Sequence, residues 1–479
     1  MKELKERKFF PAPPLFDLKI ASWLIDPDWK NPDFKSLSEK FLTKSASEPD
    51  KETLAELYNL LRIELDKYEL GNVFENIEMP LIEVIAAMES WGIGVNIRVL
   101  KALDKEIEDE LEGLAKEIYR VAGTVFNINS SRQVGNVLFE KLGIKELETK
   151  TTTSRRSTSQ EVLKEMKDRH PIVGLIIDYR EGFKIKSTFV KPFIEAAEKN
   201  HRVHTTFLQT GTATGCLSSE KPNLQNLPQE SKWSKKLRSA FEARPGSSFL
   251  GLDYSQLKLR LLAHVSGDKK LKRAFEEGAD AHKLTAAQIF NVSLDKVTPA
   301  MRRLGKTLNF GVVYGMGPRA FSGVSGITRE KAGEFIEEYF KDFPGVKEWQ
   351  DKIKSDVRTL GFVKNENGRR RWFSDFADVE RAAINMPIQS LGADILKLAM
   401  IKTFRALKDN NWLDTKVRPI LTIHDELLFE VGDDILKGVS ALLKEVVESA
   451  YEISVPLKAE TKTGKNLGEL NVEKNRTNF

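Results

Sequence analysis

Between Ser247 and Asp268 the chain reads SSFLGLDYSQLKLRLLAHVSGD, and its hydrophobic pattern changes midway. Phe249, Leu250 and Leu252 form the apolar run of a buried strand, whereas Leu257, Leu261, Leu262 and Val265 recur at helical spacing. The pattern predicts a strand, an acid at its carboxyl end, Asp253, and then a helix. A comparable place occurs in Ile420–Val431, ILTIHDELLFEV, where two β-rich runs flank His424, Asp425 and Glu426 and predict a hairpin. If these strands are neighbours, Asp253 and Asp425 meet.

Elsewhere the pattern is mainly helical. Leu81, Ile82, Ile85, Ala86 and Met88 predict a helix that starts at Ile77 and ends at Gly92, and Val99–Val121 predicts a long, charge-laced amphipathic helix. From Lys269 to about Arg381 the pattern is again mostly helical, and a last helix is expected over Ile435–Tyr451, before a polar tail expected to fray from Asn471. The first segment, to about residue 70, holds PAPP, an apolar stretch Leu15–Ile25 and linkers around Pro27, Pro32 and Pro49, with no catalytic cluster. No internal repeat is evident.

Composition narrows the class only modestly. A chain of 479 residues, 41% hydrophobic and 30% charged, has room for several domains and a large core. The net charge of +5 permits a polyanionic partner without demanding one. Cys216 is the only cysteine, which excludes an intramolecular disulfide and a multi-cysteine zinc site. The amino terminus has proline where a signal peptide needs its apolar core, and no later run approaches the ~20 apolar residues of a membrane helix. A soluble, cytoplasmic, non-secreted protein without membrane contact is expected.

Candidate chemistry sharpens the picture. Two aspartates drawn together repel unless a cation lies between them, and hard oxygen ligands favour Mg²⁺ or Mn²⁺ over zinc, which points to phosphoryl transfer. The plain alternative is two unrelated acids at strand ends. In Arg302–Gly315, RRLGKTLNFGVVYG, the residues Arg302, Lys306, Phe310 and Tyr314 recur every four positions. On a helix this is a slowly winding stripe ~18 Å long, two cations then two aromatics, comparable to an extended nucleoside triphosphate. An amphipathic helix with core aromatics is the alternative. Against it stand Gly305 and Gly311, each costing ~1 kcal/mol relative to alanine and removing bulk for no packing benefit visible in the sequence.

Three polar stretches suggest nucleic-acid contact. Thr149–Ser159, TKTTTSRRSTS, is either a solvated loop or a clamp on a phosphate backbone through Arg155 and Arg156. Phe207–Pro228, FLQTGTATGCLSSEKPNLQNLP, is rich in side chains that donate to phosphates, sugars and groove acceptors. Arg381, Asn385 and Gln389, spaced by four, share one helix face.

Taken in order, TGTATGCLSSEKPNLQNLP, LDYSQLKLR, RRLGKTLNFGVVYG, ERAAINMPIQS and LTIHDELLFEV resemble the motifs of family A DNA polymerases, the bacterial DNA polymerase I type, over roughly residues 75–470. The resemblance implies an α+β right-hand fold with an antiparallel-sheet palm, helical fingers and a helical thumb. Its parts would be a vestigial exonuclease-like segment 1–70, a palm-base helix 71–97, a thumb 98–205, a palm 206–270 continued at 381–479, and fingers 271–380. It implies two Mg²⁺ ions, for which Mn²⁺ can substitute, held by Asp253, Asp425 and the Tyr254 carbonyl with Glu426 in support. His282, Arg302 and Lys306 would meet the triphosphate, Lys306 counting also among the catalytic groups. Phe310 would pack on the incoming sugar and base, Tyr314 would guard the templating site, and Gln256 and Lys258 would line the nucleotide site. Gln225, Asn226, Arg381, Asn385, Gln389 and His424 would contact primer and template through universal minor-groove acceptors. The implied partners are primer-template DNA and deoxynucleoside triphosphates, with an RNA template left open, for a monomeric enzyme.

Two departures from the family pattern stand out. Where DYSQIELR is usual this chain has Lys258 for the glutamate that blocks a ribose 2′-hydroxyl and bonds the fingers tyrosine. Where TGRLSS is usual it has Cys216 for an arginine that reaches the primer minor groove. Altered sugar selectivity or Tyr314 placement is expected from the first, and altered fidelity or primer grip from the second. FDLKIASWLIDP resembles only the end of the 3′–5′ exonuclease domain, so neither proofreading nor 5′-nuclease activity is expected. A single-subunit RNA polymerase and a catalytically silent nucleic-acid-binding relative are the alternative readings.

Overall fold

The apolar run 247–254 forms the middle of a five-stranded antiparallel sheet in a computed structural model that describes residues 15–29, 32–146, 157–374 and 379–472. Its strands are β1 (Ser247–Tyr254), β2 (Val417–Ile423), β3 (Glu426–Gly432), β4 (Ala459–Gly464) and β5 (Asn471–Val472), in spatial order β5-β4-β1-β3-β2. The expected hairpin is β2–β3, turning through His424 and Asp425, with His424 at φ 54. In β1, Leu250, Leu252 and Tyr254 alternate with Gly251 and Asp253, so the two sets lie on opposite faces of the sheet. The register sets Asp253 opposite Glu426 on one side and Glu460 on the other. At the start of the tail expected to fray, Asn471 and Val472 instead pair with Thr463 and Lys462, and residues 473–479 lie outside the described residues. A free sheet edge offers backbone partners that local polarity does not reveal.

Six helices position the site: α1 (Ile97–Ala122), α2 (Leu257–Ser266), α3 (Ala281–Ile289), α4 (Pro299–Val313), α5 (Glu380–Asp409) and α6 (Leu436–Glu448). The charge-laced pattern of α1 is explained by what it bridges: Leu100, Leu103 and Ile107 enter the main core, while Ile118 and Ala122 enter a second core with Ile172 and Ile176. The expected helix ending at Gly92 spans Met79–Trp91. α6 supports the sheet, its Val447 carbonyl accepting from the Tyr254 hydroxyl at 2.7 Å. The 269–381 region is not wholly helical, since Phe362–Lys364 and Arg370–Trp372 form a hairpin around an Asn-Gly turn.

The described residues before residue 70 are helical and packed. Helices Leu18–Ile25, Phe34–Leu42 and Lys51–Lys67 share a core with Val73 and Phe74. Trp23 lies against the Arg369 guanidinium, 5.2 Å from the ring centre, and donates from Nε1 to the Thr212 carbonyl at 3.2 Å. Beneath it Glu78, Arg369, Asp394 and Lys397 form a buried ion network. Among the described residues no helix is long and apolar enough to cross a membrane.

Candidate active site

The sheet register brings the two acids to adjoining strand ends. Asp425 sits in the β2–β3 turn beside Glu426, the cross-strand partner of Asp253, and its carbonyl accepts from the Tyr254 amide at 3.2 Å. Each carboxylate already carries an ammonium group. Lys258, in the first turn of α2, donates to both Asp425 oxygens at 3.0 Å. Lys462, on β4, donates to Asp253 at 2.8 Å and to Glu426 at 3.3 Å. Room for this arrangement comes from Gly251, where a Cβ would lie 2.6 Å from Glu426 Oε1.

The electrostatics follow from that crowding. Burial, joined by the charge of Asp253, pushes the Glu426 carboxyl up against the opposing pull of Lys462. Burial alone would lower Lys258, but the charge and hydrogen bond of Asp425, with Tyr314 and Cys216 adding, hold it above the ordinary lysine range. For Lys462 too, burial is outweighed, here by the Asp253 bond and the Glu426 charge. Among the described residues no three His, Cys, Asp or Glu side chains form a metal-holding group, so the donor set is two carboxylates with a backbone carbonyl. Lys258 is bonded to Asp425, not to Tyr314; the Tyr314 hydroxyl instead accepts from Gln389 at 3.0 Å.

A cavity of about 290 Å³ collects several of the expected contacts: Gln225, Asn226, Lys258, Gln389, His424 and Asp425 line it together with Cys216. Gln225 donates to the Thr422 carbonyl of β2 at 3.2 Å, which holds it over the sheet. Arg381, Asn385 and Gln389 lie on α5 as expected, with Arg381 exposed. Gln256 Oε1 and Asn385 Oδ1 are buried without a hydrogen-bond partner among the described residues, and Gln256 has φ 54. Buried oxygens in that state are suited to a ligand or water that donates to them. Arg155 and Arg156 lie outside the described residues.

The basic and aromatic stripe forms a second group. Thr298 caps α4, which carries Arg302, Lys306 and Phe310 and ends at Val313, leaving Tyr314 as its half-exposed cap. Arg302 pairs with Asp280 at 2.6 Å, and Asp280 also caps α3. Lys306 lies 5.9 Å from the Phe310 ring centre. His282 is 4% exposed, tilts against Phe310 and meets Asn309 at 3.2 Å. Burial lowers its pKa to about 4, with the Arg302 and Lys306 charges helping and Asp280 opposing. Gly305 has a packing role after all, because a Cβ there would stand 2.5 Å from the His282 carbonyl. The glycine allows α4 to lie on the backbone of α3.

Sequence reasoning missed Lys462, Asp280 and Asn309. Lys462 belongs to an alternating run, AETKTG, whose pattern marks a strand but not the acid it meets across Gly251. Asp280 carried a signal that could have been used, an Asp directly before a helical run.

Comparison with known proteins agrees with this geometry. The profile of DNA polymerase family A matches residues 97–469. The chain is 43% identical to the thermostable DNA polymerase I of Thermus filiformis over 403 residues, 82% of this chain and 48% of that protein. It is 40% identical to DNA polymerase I of Caldicellulosiruptor bescii over 467 residues, 94% of this chain and 54% of that protein. The chain thus spans about half the length of the curated relatives it matches. The POL domain of Pol1 from M. smegmatis, in complex with DNA primer-template and dNTP, superposes with a TM-score of 0.91 at 31% identity, covering 98% of this chain and 84% of that one. The fold is accordingly the right hand of palm, fingers and thumb, and the chain belongs to DNA polymerase family A.

Proposed function

We propose that this chain extends a primer 3′-hydroxyl with deoxynucleotides on a DNA template by metal-assisted phosphoryl transfer. The observation that carries the proposal is the meeting of Asp253, Asp425 and Glu426 at adjoining strand ends, beside a cavity lined by amide side chains. Enzymes of this family use divalent metal ions, and the donor set fits one: all oxygen, with hard ammonium cations already seated on both aspartates. Asp253, Asp425 and the Tyr254 carbonyl would hold two Mg²⁺ ions, Mn²⁺ substituting. Such ions supply a lowered pKa for the attacking hydroxyl and countercharge for the leaving pyrophosphate.

The side chains divide the remaining work. Arg302 and Lys306, one turn apart on α4, would meet the phosphates, and Phe310 would offer its ring to sugar or base. His282, neutral near pH 7, serves as a hydrogen-bonding partner and not as a third charge. Gln225, Asn226, Gln389 and His424, which line one cavity, would meet minor-groove acceptors common to every base pair. Lys258 leaves the sugar edge without the family's glutamate, so deoxy-over-ribo selectivity should differ between the natural chain and Lys258→Glu; equal selectivity would reject that role.

Primer extension with Mg²⁺ tests the activity directly. The natural chain should extend a labelled primer with deoxynucleotides, and Asp425→Ala should not. Extension by Asp425→Ala at the natural rate would overturn the proposal. A terminally mismatched primer should remain intact without nucleotides, since we assign no proofreading to this chain.

A further inference from the structure

We propose that Lys258 and Lys462 are resident counter-ions of the acid cluster, seated on Asp425 and Asp253 until a divalent cation enters and displaced as it binds. The proposal rests on the reading of both aspartates as metal ligands. Three carboxylates lie at these adjoining strand ends without forming one metal-holding group: Asp253 opposite Glu426 in register, and Asp425 next to Glu426 in the turn. Left alone they would repel one another, and each would resist burial. Two ammonium groups offset that repulsion, and they arrive from different elements, Lys258 from α2 and Lys462 from β4.

Neither lysine is fixed in the manner of a structural ion pair. Their hydrogen bonds go to these carboxylates alone among the described residues, and their side chains keep 18% and 21% exposure. Lys258 lines the 290 Å³ cavity, so its flexible stem can withdraw into open space. Lys462 stands opposite Gly251 and has no side chain between it and the acids from that strand position. By contrast Lys397, although it borders the same cavity, is 1% exposed and bonded to the fully buried Glu78 beside Arg369, so its ammonium group has no water to exchange into.

A cation approaching a carboxylate that already holds an ammonium group must displace it or bind beside a like charge. Both routes weaken binding. Removing either ammonium should therefore tighten metal binding in the DNA-free protein by about tenfold, the order expected for one unit charge acting at a few ångströms through a largely aqueous path.

The test is a Mn²⁺ titration of the full chain without DNA or nucleotide, with free Mn²⁺ followed by electron paramagnetic resonance. Lys258→Met and Lys462→Met keep stem length while removing charge. Both should bind Mn²⁺ about tenfold more tightly than the natural chain. Their melting temperatures in EDTA should fall and recover more on adding Mn²⁺, a readout independent of catalysis. Lys258→Gln and Lys462→Gln should behave alike if a methionine variant fails to fold. Equal or weaker Mn²⁺ binding by folded variants, with binding lost in Asp425→Ala, would overturn the counter-ion role alone. Unchanged binding in Asp425→Ala would overturn the metal-ligand reading beneath it.

Discussion

Two charge clusters lie close together in this molecule and are built on opposite plans. In the first, Glu78, Arg369, Asp394 and Lys397 are all within 2% of full burial; Glu78, Arg369 and Asp394 each have several partners, and Lys397 is bonded to Glu78 under the Trp23 ring. Glu78 meets Arg369, Lys397 at 2.6 Å and Gln209, while Asp394 accepts from Arg369, from Asn365 at 2.8 Å and from Asn367 at 3.2 Å. Burial alone would raise the Glu78 carboxyl, but the Lys397 and Arg369 charges overrule it and hold it below its usual range. In the second, Asp425 and Asp253 are 28% and 37% exposed, and each is held by one lysine. Lys397 lines the same cavity as Lys258, so the clusters adjoin. Redundant bonding of buried charge fixes a shape, whereas single, long-stemmed partners leave acids free to exchange what they hold.

The largest effect should separate the plans most clearly. Asp425→Ala removes several kcal/mol of charge stabilisation in the reaction, so the single-turnover extension rate should fall about a thousandfold or more. Its chemical-denaturation midpoint should fall far less than that of a variant in the buried network, since a partly exposed ion pair contributes less to folding. A midpoint drop matching that of a core mutation would erase the distinction.

Glu78→Ala should do the reverse, costing about 3–5 kcal/mol of stability by leaving Arg369 and Lys397 uncompensated in the interior. Mn²⁺ affinity of the folded fraction should stay at the natural level; a large change would mean that the clusters are coupled. Trp23→Ala, which uncovers the Arg369 face, should cost about 3 kcal/mol by urea unfolding.

His282 sharpens the comparison with a buried group that has no carboxylate bonded to its ring. Its folded pKa, about 4, lies below the ordinary 6.5. The unfolded chain therefore takes up a proton first as pH falls, so the stability due to neutral His282 is complete above 6.5 and is lost between there and about 4. The change should be ~3 kcal/mol at most, and absent in His282→Gln. An unaltered pH slope in that variant would assign the titration to another group.

The local patterns of this chain were readable where chemistry and periodicity coincide. The alternation in 247–254 and the two runs around His424 and Asp425 correspond to β1 and the β2–β3 hairpin. Cross-chain pairing was less accessible: nothing near Lys462 in the sequence announces Asp253, 209 positions away. Trp23 likewise read as one apolar residue in a short segment, although its ring covers charges from residues 369 and 397. The Phe362–Trp372 hairpin was hidden inside a charged, helix-like stretch whose Asn-Gly turn was overlooked. Lys258 was visible as a departure from the family motif, but its attachment to Asp425 required the register of three strands and a helix.

Gly305 carries one more consequence. With backbone resting on backbone at that point, α3 and α4 have no side-chain cushion through which one could slide past the other. A swing of the cationic stripe would therefore drag His282 and Asp280 along, and the two helices would turn like a door whose handle and panel are a single casting.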